Sequence, residues 1–487
     1  MGVKSRGHFV RHRMAARFFL SIFVGGGVLS MAQAPNPSSA ANPYWGSVTA
    51  EPVSGTPLKL SLDDSVRRGL AYNLGLKEAE NSEKALHGEK NVVEQSFLPD
   101  ITLGADTGYY MHDLAALGFG PKTVKEFAGI FPGGTMPQLP AVTRDTLTDG
   151  KVSFSQLLFS APAIAAYKAA GAAERAAYYA KMSARGEVVQ QVATAYLRAI
   201  ADASEVENAQ AQVTQAQVLE DHAHQTHVAG TGTNLDELRA QVQLQTQQQS
   251  LIAAQNQQAK DLILLKREIG VDPEQQVELT DTAPYSELAA QTQSELRALA
   301  YKSRQDYQNL QNQVVVYRAL RSSARAARLP SLAFGGYYQT STVTTVNTHG
   351  NFALAGQLTF PIFKEAQVRG QEDVAQANFD AITAELNELR SHIDEQLRAA
   401  TLDVNANAKL VDVARSNVDL ATRELSDETD RVNAGVDNNL PLVTAQATLA
   451  AAQSNLVESL YQYNVSKLAL ARAAGVLEQQ YRVYLGE

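Results

Sequence analysis

The sequence predicts an α+β membrane protein made of two copies of one design, each a long helical hairpin joined to a pair of barrel strands. Three observations predict it. A seven-residue apolar repeat runs down both arms of a helix–break–helix unit near the C-terminus. The same unit recurs about 205 residues upstream (435 − 230), and each copy changes to a two-residue period just after a Leu-Pro pair.

In the C-terminal unit, Val404, Val411, Val418, Leu425 and Val432 recur every seventh residue, with Ala400, Ala414 and Ala421 between them. After a break at 433–439, Leu442, Leu449, Leu456, Tyr463 and Leu470 repeat the spacing. Apolar heptads on both arms read as an antiparallel hairpin packed in coiled-coil fashion. Gly435 can adopt the left-handed backbone a reversal needs, and Pro441 suits the first turn of the returning helix. Upstream, Gly230 falls on Gly435, Leu244 on Leu449, Leu251 on Leu456 and Leu265 on Leu470, while Gly270-Val271 falls on Gly475-Val476. A repeat at that distance marks a duplicated architecture.

A chain of 487 residues could hold two to four domains or one large duplicated one. It contains no cysteine, which excludes disulfides, thiol chemistry, cysteine-ligated metal and a lipid anchor on an N-terminal Cys. Lys4, Arg6, Arg11, Arg13 and Arg17 precede an apolar run from Phe18 to about Leu29, and small residues follow. This reads as a secretory signal peptide over 1–32, with cleavage expected after Ala32 rather than Ala34, where Pro35 would follow the cut. Removing those five charges moves the net charge from −9 to −14 (−9 − 5). An exported acidic chain is a poor partner for nucleic acid, whose phosphates demand Lys and Arg.

Residues 33–60 read as an extended lead-in carrying the single Trp, Trp45. A helix is expected from Ser61, where Ser61-Leu62-Asp63-Asp64 has a capping-box-like spacing, to Phe97, before Leu98-Pro99. Ile101, Leu103, Ala105, Tyr109 and Met111 then alternate with more polar residues, and Val152, Phe154 and Leu158 alternate with serines. The second copy gives Leu332 to Tyr338 after Leu329-Pro330, then Phe352, Leu354, Leu358 and Phe360. Each strand should span about ten residues, the length a tilted transmembrane strand needs. Asp106 would face the lumen.

Four strands cannot close a barrel, and an open edge is not tolerated in lipid. Three protomers would supply twelve strands, a permitted closed number. The helix over 162–227 should reach about 100 Å, and the two shorter helices of each copy would stack end to end to match it. The expected organisation is therefore a first repeat over 61–271 with strands about 100–112 and 150–160 and a hairpin over 162–271. A waist linker covers 272–293. The second repeat covers 294–476 with strands about 331–344 and 351–363 and a hairpin over 364–476, and a tail covers 477–487.

The chain resembles the TolC family of outer-membrane efflux proteins. The resemblance is carried by Leu60-Ser61-Leu62-Asp63-Asp64-Ser65-Val66, Arg304-Gln305-Asp306-Tyr307, Ala324 to Leu332, and Phe360-Pro361-Ile362-Phe363 echoed by Leu157-Leu158-Phe159. It implies a homotrimer with a twelve-stranded outer-membrane β-barrel and a periplasmic α-barrel, completed by a periplasmic adaptor and an inner-membrane pump of RND or ABC type. The hairpin tips would dock the adaptor through Gly230, Thr231, Gly232 and Thr233 and through Ala434, Gly435, Val436 and Asp437. Family members constrict the closed channel with acids near the tips. Asp236 keeps such a position, whereas Pro441 and Thr444 stand there in the second copy, so Asp236, Glu237 and Asp437 are the gate candidates.

His222, His224 and His227 lie near the first tip, but His222 points almost opposite His224 on a helix and only Asp221 offers a nearby carboxylate. No metal site is expected, His224 and His227 being the only weak candidates. No nucleophile motif, phosphate loop or carboxylate pair is present, so no catalysis and no cofactor are expected. The leading expectation is a passive exit duct for small molecules or drugs. The alternatives are the duct of a type I protein secretion system and, in another class, a secreted coiled-coil scaffold or adhesin.

Overall fold

The computed structural model describes residues 42–48, 51–113, 116, 142–282, 285–289, 291–343, 348–434 and 439–486, all within the unit Ser38–Glu487. The expected leader, most of the connection at 113–149, and Gly435, Val436 and Asp437 lie outside the described residues.

The duplication extends to individual elements. Helices α1 (Leu62–Tyr72) and α2 (Leu74–Gln95) match α5 (Gln293–Ser303) and α6 (Gln305–Ala326), with 11 and 22 residues in both copies. The long helices are α3 (Ala161–Val228) and α7 (Glu365–Asn433), of 68 and 69 residues. The returning helices α4 (Asn234–Glu268) and α8 (Asn439–Ala473) have 35 residues each. Among the described residues no helix is long and apolar enough to cross a membrane.

The helix expected to run unbroken from Ser61 to Phe97 is divided at Asn73, whose extended backbone ends α1 and starts α2. Asn73 Oδ1 accepts from the Gly75 N–H at 3.0 Å, and its Nδ2 donates to the Tyr44 carbonyl at 2.6 Å. Arg304 makes the equivalent break in copy two, donating to the Ala473 carbonyl at 3.2 Å and pairing with Asp306 at 2.6 Å. At Asn73 the side chain satisfies an exposed N–H of α2, whereas the Arg304 side chain makes no such cap and instead ties the break to the end of α8. At the start of α1, the Asp64 N–H donates to Ser61 Oγ at 3.1 Å, as the spacing predicts.

The lead-in and the waist linker are joined. Strand β1 (Leu58–Leu60) pairs in parallel with β4 (Val277–Leu279). The Tyr196 hydroxyl, fully buried on α3, lies 2.9 Å from the Leu60 carbonyl and 3.0 Å from the Asp281 carboxylate. The main core gathers here, from Leu60, Val192, Tyr196, Ile269, Leu296, Tyr463 and Leu468. Burying each such large side chain contributes about 1.5–3 kcal/mol. The expected tail is a helix, α9 (Leu477–Leu485), which buries Leu477, Tyr484 and Leu485 and ties to α1 through Arg482 and Asp63. In the second hairpin, Val404, Val411, Leu442, Leu449, Tyr463 and Leu470 are buried, so the heptads pack as their spacing requires.

Strands β2 (Asp100–Asp113), β3 (Val142–Ser160), β5 (Ser331–Val343) and β6 (His349–Thr359) form one antiparallel sheet in the order β2-β3-β5-β6. They run 14, 19, 13 and 11 residues, longer than the expected ten. Register places Ile101 opposite Phe154, Leu103 opposite Val152, Tyr338 opposite Phe352 and Leu332 opposite Leu358, which makes one face apolar. The other face carries Asp106 opposite Asp149, with Lys151 opposite Gln339 and Thr102 opposite Ser153. A bulge between Leu157 and Phe159 corrects one expectation: Phe159, not Leu158, pairs with Leu332 on the apolar face. An inserted residue shifts the period-two alternation by one position. Phe360 falls just past β6 rather than within it, and Ile362 and Phe363 follow almost fully exposed.

Candidate functional site

The first hairpin tip is built by local chemistry. Gly230 takes a φ of 76°, which ends α3 and lets the Thr231 and Gly232 N–H groups donate to the Thr226 carbonyl at 3.0 and 2.9 Å. Thr233 then caps α4: its Oγ1 accepts from the Asp236 N–H at 3.2 Å and donates to Asp236 Oδ2 at 2.7 Å. Arg239 stands 3.7 Å from the other Asp236 oxygen. Asp236 and Glu237 both lie in the first turn of α4, where the helix dipole favours negative charge.

Glu237 sits between two histidines of α3. His224 Nδ1 is 2.7 Å from Glu237 Oε1, and His227 Nδ1 contacts Oε2. Hydrogen bonds from His224 and His227 hold the Glu237 carboxyl below its usual range, and the bond to Glu237 raises His224. This corrects the expectation that only Asp221 could accompany the histidines. Asp221 instead accepts from Gln217 at 3.2 Å. Glu237 is a gate candidate by sequence, but its pairing with the histidines is not legible there, because it arrives from the facing helix at a distance no helical spacing rule covers. Among the described residues no group of three His, Cys, Asp or Glu side chains could hold a metal ion.

The second tip lacks this clamp. Shifting by 205 residues (439 − 234), the positions of His224, His227 and Glu237 are filled by Thr429, Val432 and Leu442. Leu442 is buried with Leu219, Ala223 and Ala240, and Val432 packs against them, so an apolar plug joins the two hairpins beside the charged clamp. Ala434 caps α7, its N–H donating to the Asp430 carbonyl at 3.0 Å. Thr444 Oγ1 bonds back to the Leu440 carbonyl at 3.0 Å. The tip surface is apolar as well as charged, with Val228, Leu235, Leu238, Val242 and Leu440 exposed.

Long helical columns joined to a sheet with one apolar face define a barrel-forming channel protein. A profile of the outer membrane efflux protein family matches residues 66–271 and 296–476, and the chain belongs to that family. It is therefore an outer-membrane efflux channel. The alkaline protease secretion protein AprF of Pseudomonas aeruginosa is 26% identical over 346 residues, covering 67% of this chain and 69% of AprF. The outer membrane protein VceC of Vibrio cholerae has the same fold with a TM-score of 0.70 at 17% identity, over 85% of this chain and 96% of VceC. The open state of the MtrE outer membrane channel of Neisseria gonorrhoeae gives 0.70 at 16% identity, over 88% of this chain and 95% of MtrE.

Proposed function

We propose that three copies of this chain close a common duct through which small molecules leave the periplasm. The observation that carries the reading is the matching pair of open edges. In the sheet, β2 and β6 are outermost; in the helical layer, α2 packs on α3, α3 on α6 and α6 on α7, leaving α2 and α7 outermost in the same order. An unpaired edge beside an apolar face is intolerable in lipid, and pairing β6 of one copy with β2 of the next removes it. Toward the tips α4 packs on α3, α3 on α8 and α8 on α7, so there α4 and α7 are outermost, and these edges are equipped for the same closure. Leu235, Val242 and Ile263 on α4 are exposed at multiples of seven residues, and so are Val413 and Leu420 on α7.

The signal peptide over 1–32 would export the chain, and the tips, at Gly230–Thr233 and 434–437, would meet a periplasmic adaptor that links the duct to an inner-membrane pump. Asp236, Glu237 and Asp437 would ring the entrance and favour cations. With Glu237 held by two histidines, Asp236 is the freer of the two acids in the first tip. Planar-bilayer conductance of wild type against Asp236→Ala and Asp437→Ala tests the ring; unchanged conductance and ion preference would remove it.

The duct itself is tested by carbonate-washed membrane fractionation and by the mass of the detergent-extracted protein. Recovery as a membrane-bound trimer is expected, and a stable water-soluble monomer of the processed chain would overturn the proposal. A second reading, the duct of a protein secretion system, is favoured by the similarity to AprF. Cells lacking the chain would then retain an exported protein while their accumulation of small dyes stayed normal.

A further inference from the structure

Partway along the helical shaft, far from either tip, one guanidinium is shared among three carboxylates from three helices. Arg198 Nε of α3 lies 3.1 Å from Asp202 Oδ1, on the same helix, and 3.7 Å from Asp261 Oδ2 of α4. Its Nη1 lies 3.0 Å from Glu458 Oε2 of α8, and the Tyr461 ring of α8 stacks 5.3 Å from the guanidinium carbon. Asp261 Oδ2 also accepts from Gln257 at 2.8 Å, and Glu458 Oε1 from Gln462 at 2.7 Å. The other acids nearby are engaged elsewhere: Glu205 of α3 accepts from Ser454 of α8 at 2.6 Å.

Asp202 is only 5% exposed, and its Oδ2 is buried without any donor. A buried carboxylate oxygen with no donor is a costly arrangement, and the Asp261 carboxylate is gathered on the same Arg198 Nε as Asp202. Two carboxyls can face one another at hydrogen-bond range only if one carries a proton. Neither the fold nor the packing requires this group. The positions of Arg198, Asp202 and Asp261 in the second copy, 205 residues on, are Asp403, Asn407 and Ser466, so the arginine and the acid pair are both missing there while the corresponding helices still pack on one another.

We infer that Asp202 binds a proton shared with Asp261, and that this proton holds the first hairpin to α8 of the second. With it, an O–H···O bond fills the vacant site on Asp202 Oδ2, and Arg198 faces two negative charges, one of them Glu458. Without it, Arg198 faces three. It then sits best between buried Asp202 and partly buried Asp261 of the first hairpin, and the half-exposed Glu458 is released. Burial, then the Asp261 neighbour, push the Asp202 carboxyl up to about 7, against the pull of Arg198. A raised carboxyl pKa favours the protonated folded form, so the proton's contribution to the tie is complete below the ordinary value of 3.8 and is lost as pH rises through about 7. The consequence is a duct whose two hairpins are coupled in acid and uncoupled in alkali. That consequence for transport rests on the reading above; the proton does not.

The test uses the full-length protein in detergent. Hydrogen exchange of peptides spanning Glu458 and Asp261, corrected for intrinsic rates, is followed by mass spectrometry from about pH 5 to pH 9, the range that brackets the titration. Wild-type protection of the Glu458 peptide should fall about tenfold, the ratio that one pKa unit represents. Asp202→Asn, whose amide mimics the protonated acid, should keep the protected state throughout. Glu458→Gln should be unprotected at every pH. Infrared difference spectra should show a protonated-carboxyl band that titrates near 7 and vanishes in Asp202→Asn. A wild-type profile that is flat, or a transition or band that survives in Asp202→Asn, would overturn the inference. Neither measurement reads conductance, so failure of the duct proposal would leave this result standing, and the reverse.

Discussion

Gly475 packs so closely on the Arg304 backbone that a Cβ at residue 475 would lie 2.6 Å from the Arg304 nitrogen. Its φ is 76°, and the reversal that it makes ends α8 against the break between α5 and α6. Gly230 shares that φ but faces open space. Gly475→Ala should therefore cost the left-handed penalty of about 1–2 kcal/mol plus about 1–3 kcal/mol of overpacking, and Gly230→Ala the first part alone. Denaturant-dependent loss of helical circular dichroism would separate them; equal losses would contradict the packing account.

The Glu237 clamp gives the first tip a pH optimum. His224 is raised above 6.5, so its contribution is complete below 6.5 and is lost as pH rises through the higher folded value. Glu237 is lowered below 4.5, so its contribution is present above 4.5 and is lost as pH falls through the lower folded value. The two windows overlap between 4.5 and 6.5, where limited proteolysis of the tip should be slowest. Glu237→Gln should flatten the profile, and a flat wild-type profile would refute the clamp.

Charge on the two faces of the sheet should behave differently. Leu354 projects from the apolar face of β6, whereas Gln339 stands beside Lys151 on the polar face. Leu354→Arg should cost about 2–4 kcal/mol if it lies at mid-membrane depth and reduce the yield of membrane-inserted oligomer. Gln339→Arg should leave that yield unchanged. Equal yields would mean that the sheet does not face lipid.

The C-terminal helix α9 should behave as part of the core. Leu485 is fully buried and Val483 is exposed two residues earlier. Leu485→Ala should destabilise by about 2–5 kcal/mol, and Val483→Ala by less than about 0.5 kcal/mol. Chemical denaturation of both variants checks this, and matching midpoints would return the segment to the status of a tail.

The residues by themselves determined the duplication, the helical hairpins, the strand pairs and the polarity of each sheet face. Those features are periodic or local: heptads from Val404 to Val432, alternation from Ile101 to Met111, and a glycine at each reversal. The helix breaks at Asn73 and Arg304, the bulge that turns Phe159 outward and the β1–β4 pairing became visible only in three dimensions. So did Glu237 between two histidines and Arg198 among three acids. Each depends on partners brought together from separate elements, Leu58 with Val277 and Arg198 with Glu458 among them. Spacing along one helix or strand reports which face a side chain shares, and it carries no information about what the neighbouring element places opposite.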